Sequence, residues 1–210
     1  MPRQNRVTPF GELIATESRG TLMGNRGCLH DNQQHIRRAF ACKRWIACVL
    51  EFRGRHRAIM TPRRYTELFF LDEATALAAG HRPCAECQHA RYRLFREIWA
   101  AANPDLLIAP SPPADEIDSV LHSERLDGER RKRTFISSVS ELPSGVLVAS
   151  EGRPYLVLEQ WLIRWEPGGY SHRIPKPSDV LFRVLTPESI VRALAEGYPV
   201  MIHPSARNDA

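Results

Sequence analysis

The chain has 210 residues, 43% of them hydrophobic and 25% charged, with a net charge of +5. That length suits one large domain or two small ones, and no run of about 18 apolar residues is present to span a membrane. The opening MPRQNRVTPFGELIA has no apolar segment of signal-peptide length, so a cytoplasmic protein is expected, in which the five cysteines read as metal ligands or buried thiols rather than disulfides.

Charge is uneven along the chain. Residues 1–64 hold 13 Lys and Arg against 4 Asp and Glu, the electrostatic footprint of a phosphate-binding surface or of a solvated basic face. Within this third, GTLMGNRGCLH has turn chemistry at Gly24-Asn25-Arg26-Gly27 and reads as a hairpin or a loop beside one. RWIACVLEF, RGRH and RAIM read as a second β-hairpin. Period-two alternation places Ile46, Cys48, Leu50 and Phe52 on one face, and Arg53, Gly54, Arg55, His56 and Arg57 form a cationic tip.

YTELFF is a short strand. Asp72 is placed to cap a helix over EATALAA, which Gly80 stops. ARYRLFREIWAAA is an amphipathic helix whose Tyr92, Phe95, Ile98 and Trp99 form a core stripe. Four prolines between residues 103 and 115 mark a linker or surface loop, followed by a polar helix over 115–126 and the charged run DGERRKR. GVLVAS, YLVLEQWLIRW and VLFRVL read as strands, separated by EGRP and EPGGYSHRIPKPSD. Thr186 is expected to cap PESIVRALAEG with Pro187 at its first position, and PVMIH to add a last strand. The sum is an α+β fold. Residues 1–102 form a basic, zinc-stabilised hairpin and helix half, 103–114 a proline-rich linker, and 115–210 a mixed strand and helix half.

GHRPCAECQ supplies the chemistry. Cys84 and Cys87 have the spacing that lets two sulfurs bind one tetrahedral ion. Pro83 stiffens the approach, and a helix opens just after, its positive end favouring thiolates. Two thiolates need partners. Cys48, on the preceding strand, is the expected third ligand, against the plainer reading of a small buried hydrophobe. Cys42 and His30 are equal alternatives for a fourth, with Cys28 behind them, while His81 is too close in sequence to Cys84 and reads as packing or an outer hydrogen bond.

The run FFLDEATALAAGHRPCAECQ, through Phe69, Phe70, Ala79, Gly80, Arg82, Pro83, Cys84 and Cys87, resembles the second half of the Ada-type zinc-binding domain of bacterial alkylation response and DNA repair. His81 stands where that family has an aromatic. The resemblance covers about residues 69–88 and implies a zinc held by four cysteines, two of them from an upstream β-element. One upstream cysteine of that family also takes a methyl group from DNA, but it lies in a Cys-Arg-Pro-x-Cys segment. This sequence has no such segment, which counts against irreversible methyl acceptance.

Arg53, Arg55 and Arg57, with Arg63 and Arg64 beside Tyr65, are the candidate nucleic-acid contacts, since guanidinium forks suit phosphate oxygens and an aromatic can stack on a base. Trp161, Trp165, Gly168, Gly169, Tyr170 and His172 line a pocket or, more simply, belong to the core. His122 and Glu124 are two apart on a helix and do not share a face, and His203 with Ser205 lacks a third member for a triad. There is no P-loop, no Gly-x-Gly-x-x-Gly, no Gly-x-Ser-x-Gly and no His-Glu-x-x-His, and no His-x-Glu precedes Pro-Cys-x-x-Cys as zinc deaminases require. The expected protein is therefore a zinc-containing nucleic-acid-binding protein, DNA favoured, tied to repair or modification. The alternatives are an enzyme using a zinc-bound thiolate or an open zinc site, and a structural or partner-binding zinc module.

Overall fold

A computed structural model describes residues 1–55, 58–178 and 180–207. The α+β class holds: four α-helices accompany two six-stranded sheets. The first sheet comprises β1 (Gln4–Val7), β2 (Leu13–Ala15), β3 (Leu22–Asn25), β4 (Ile46–Cys48), β5 (Leu68–Phe70) and β6 (Arg82–Pro83), in the order β2-β1-β5-β3-β4-β6. Two of its pairings are parallel, β1 with β5 and β4 with β6.

Next in the chain come α1 (Glu73–Ala78), α2 (His89–Ala102) and α3 (Ala114–Arg125). The second sheet holds β7 (Phe135–Ser138), β8 (Leu147–Ser150), β9 (Arg153–Leu158), β10 (Trp161–Glu166), β11 (Gly169–Pro175) and β12 (Leu181–Val184), in the order β11-β10-β9-β8-β12-β7. Its pairings are antiparallel, and α4 (Glu188–Ala195) follows.

The central strands of the second sheet, β8, β9 and β10, are covered on both faces, which is why they carry apolar runs, whereas β12 alternates with Leu181 and Arg183 exposed. Val148, Val157, Leu162 and Val184 meet Phe95 and Trp99 of α2, Ile117 and Leu121 of α3, and Ile190 and Leu194 of α4. Their strand neighbours Leu147, Leu156, Ile163 and Trp165 face the other way, onto Leu71, Ala74 and Ala78. One cluster thus draws on both sides of residues 103–114, and Asn103 within that stretch is buried, its amide donating to the carbonyls of Trp99 and Ser189.

Helix α1 is the junction. Its small residues reach three cores at once: Leu77 the helical one, Ala74 and Ala78 the second sheet, Ala76 the first. The Asp72 cap forms as expected, accepting from the Thr75 N–H at 2.8 Å and its hydroxyl at 2.6 Å. Asp72 also accepts from the Tyr170 hydroxyl, so one buried carboxylate ties α1 to β11. Gly80 ends the turn at φ +83, where a Cβ would sit 2.6 Å from the Arg125 side chain.

Several expectations are corrected. The Ile46–Met60 hairpin does not form among the described residues. Its first strand stops at Cys48, and the Met60 N–H goes to the Glu67 carboxylate, not to a partner strand. Leu50 is exposed, not on the buried face, and Leu22–Asn25 is strand throughout, so Gly24 and Asn25 precede the turn. Thr186 does not cap α4: its hydroxyl accepts from the Leu147 N–H, and Pro187 takes the cap position. The run YLVLEQWLIRW is two strands turning at Glu159, and the stretch after Pro167, read as a separator, contains β11. PVMIH is not a strand, because the N–H groups of Met201 and His203 donate to the Glu73 and Asp72 carboxylates.

Candidate metal centre

The shortest strand builds the site. β6 pairs in parallel with β4, Ile46 opposite Arg82 and Ala47 opposite Pro83, so the next residue of each, Cys48 and Cys84, arrive side by side. Proline is tolerated because β6 is an edge strand. The Cys84 N–H donates to the Ala47 carbonyl at 2.8 Å, and the Gln88 amide donates to the same oxygen at 2.8 Å. From α3, Asp118 accepts two bonds from Arg82, at 2.9 and 2.7 Å, with both side chains buried. The knuckle then turns Cys87 back towards the pair.

The sulfurs of Cys48, Cys84 and Cys87 lie within 4.8 Å of one another, a group that can hold a metal ion. Cys84 is drawn well below the ordinary thiol range, first by the hydrogen bond it accepts from Cys48, with the N–H groups of Cys87 and Glu86 adding to it against burial. Cys48 is pushed up because it donates that bond and is buried. Burial also raises Cys87. The three sulfurs can hold a metal only by giving up their protons, so the affinity of such a group for metal falls as protons compete.

Sequence reasoning placed Cys48, Cys84 and Cys87 together, and they meet. The candidate fourth ligands do not join them. His30 is engaged through both ring nitrogens, with the Thr66 hydroxyl at 2.6 Å and the Thr61 carbonyl at 3.3 Å. Cys42 donates to the Arg44 carbonyl and Cys28 to the His30 carbonyl. Among the described residues no fourth His, Cys, Asp or Glu completes the group.

His81 has the packing role expected of it. It sits edge-on to Phe70 at 4.6 Å and tilted against Trp45 at 5.2 Å, and accepts from Arg26 at 3.3 Å. Burial, Arg26 and Arg125 hold it well below its usual pKa, neutral as an acceptor must be. Arg26 and Arg125 each lie 4.0 Å from the Trp45 ring.

The thiols form part of the wall of an open pocket of about 950 Å³, with Arg19, Arg53, Arg55, Tyr65 and Phe69 also lining it. Arg55 pairs with Glu86 at 2.9 Å. Arg57 lies outside the described residues, and Arg63 and Arg64 are exposed but do not line the pocket. Sequence reasoning missed Arg19, which belongs to no motif, and Asp118, whose partner is 36 residues away. Trp165 and Tyr170 are core, not pocket. His122 turns to Arg125 while Glu124 accepts from Ser189. Among the described residues no helix is long and apolar enough to cross a membrane. No family model, curated protein or solved structure matches this chain.

Proposed function

We propose that this chain is a zinc-binding protein that binds nucleic acid, with DNA the favoured partner and its repair or modification the setting. Tetrahedral zinc bonds thiolate sulfur at about 2.3 Å, which separates sulfurs by about 3.8 Å, and three sulfurs within 4.8 Å suit that donor set. Thiolates also select soft or borderline ions over magnesium or calcium. Bound zinc would keep the three sulfurs deprotonated and fix β4 to the knuckle. The observation that carries the reading is the place of the thiols, in the wall of a pocket that also holds Arg19, Arg53 and Arg55.

A second reading, a zinc-dependent enzyme acting on nucleic acid, draws on a different observation. Structural zinc sites close with four protein ligands and catalytic sites keep a position open; three are present among the described residues. Turnover on a DNA substrate separates the two readings.

The test combines metal content and salt dependence. Elemental analysis should find zinc in the wild type and none in Cys84→Ser. Three arginine–phosphate contacts predict that DNA affinity falls about 20- to 40-fold between about 50 and 200 mM salt. A zinc-loaded protein with no affinity for DNA at the lower salt would leave only a structural or partner-binding zinc module.

A further inference from the structure

The pocket beside the thiols does not end there. A second hollow of about 520 Å³ adjoins it, and Arg19, Leu50, Ile59 and Phe69 line both. The strand registers show what underlies them. Arg6 is opposite Phe69, Phe69 opposite Met23, and Met23 opposite Cys48. Side chains directly across neighbouring strands share a face, so one straight row runs over β1, β5, β3 and β4 from an arginine to a metal-ligand cysteine. Three strand spacings make it about 14 Å long.

Charge is distributed unequally along this row. At the thiol end, Arg55 is neutralised by Glu86, and the buried Glu67 carboxylate is occupied by the Met60 N–H. At the far end stand Arg3, Arg6 and Arg19, with Glu17 the only carboxylate lining that hollow and no ion pair to any of the three arginines among the described residues. Arg6 lies 4.6 Å from the Phe69 ring, and burial together with Arg19 pushes its pKa down, as expected of crowded, uncompensated cations.

We propose that the trough binds single-stranded nucleic acid, its phosphates on Arg3, Arg6 and Arg19 and an unpaired base in the larger pocket beside the thiols. This rests on the nucleic-acid reading above and adds to it the strand state and the path. Phosphates require the unneutralised arginines. Half-buried Phe69 lines both hollows and carries the Arg6 guanidinium over its ring, and an aromatic side chain set in a cationic groove is the means by which single strands are held. A paired base cannot enter such a hollow, so the ligand is a strand already open or a base taken out of its helix.

The experiment is fluorescence anisotropy on the zinc-loaded full chain, with a labelled oligonucleotide and with the same sequence as a duplex. The single strand should bind at least about tenfold tighter. Arg3→Ala, Arg6→Ala and Arg19→Ala combined should lose at least that factor and lower the salt slope by about 2. Phe69→Leu should weaken binding with the slope unchanged, and Arg153→Ala, on the second sheet, should change nothing. Arg19→Ala alone, an exposed substitution, guards against misfolding of the triple variant and should lower the slope by a fraction of a unit. Tighter duplex binding overturns the strand assignment. Loss on Arg63→Ala and Arg64→Ala, but not on the trough variants, overturns the path and leaves the nucleic-acid reading standing. Binding of neither probe overturns both.

Discussion

The two sheets are built on different principles. Strands of the second run four to seven residues, and the central ones, β8, β9 and β10, bury aliphatic side chains on both faces; those of the first run two to four, over a smaller apolar cluster. In place of hydrocarbon, the first sheet and its surroundings bury Arg26, Arg82, Arg125 and His81. Hydrophobic burial contributes stability without direction, whereas a bidentate arginine or a cation over an indole has one favourable geometry. The second sheet therefore supplies stability and the first supplies position, and the thiols are found where position is supplied.

On the zinc reading proposed above, the largest effect expected from this contrast comes from removing the metal. Chelation of the zinc-loaded protein should raise amide exchange in β3, β4 and β6 by orders of magnitude, because binding energy at a structural thiolate site is folding energy. β8, β9 and β10 should keep their protection. Loss of protection in both sheets together would break the comparison.

Next in size is the buried ion pair. Asp118→Ala leaves the Arg82 guanidinium desolvated and unpaired, and urea unfolding should register a loss of about 3–5 kcal/mol. It should also weaken zinc retention, since Arg82 directly precedes Pro83 and the knuckle. A loss below about 1 kcal/mol would mean that position is fixed by something other than this pair.

The third effect has the opposite sign, a gain. Lys132 donates to the Ala78 carbonyl, and burial, then Arg26 and Arg125, lowers its pKa from 10.5 to about 7. A basic group depressed on folding costs stability when both states are protonated, at and below about pH 7. That cost fades as pH rises towards the ordinary lysine value of 10.5, because the folded state has already lost its proton. Lys132→Met should therefore melt higher than wild type near pH 7, with the advantage shrinking by about pH 10. A difference independent of pH would mean that the gain comes from packing rather than charge.

What the sequence made legible was local. The Asp72 cap, the Gly80 stop and the Tyr92, Phe95 and Trp99 stripe of α2 are written in neighbouring residues, and all formed. Cys84 and Cys87 were readable from spacing, and Cys48 from the need for a partner. Two of the failures share one cause, competition from distant groups. Met201 and His203 give up a strand because α1 carboxylates take their N–H groups, and Thr186 gives up a cap because Leu147 claims its hydroxyl. The row from Arg6 to Cys48 joins residues on four strands, and no window of sequence contains it.

The topologies also imply an order of assembly. In the second sheet β8, β9, β10 and β11 are a chain of hairpins, each closing over a few residues. In the first, β1 waits for β5 and β4 for β6, across Arg6 to Phe69 and Ile46 to Arg82. Local closures are fast and distant ones slow. The hairpin meander is then the early platform, and the thiol pocket is among the last parts of the molecule to exist.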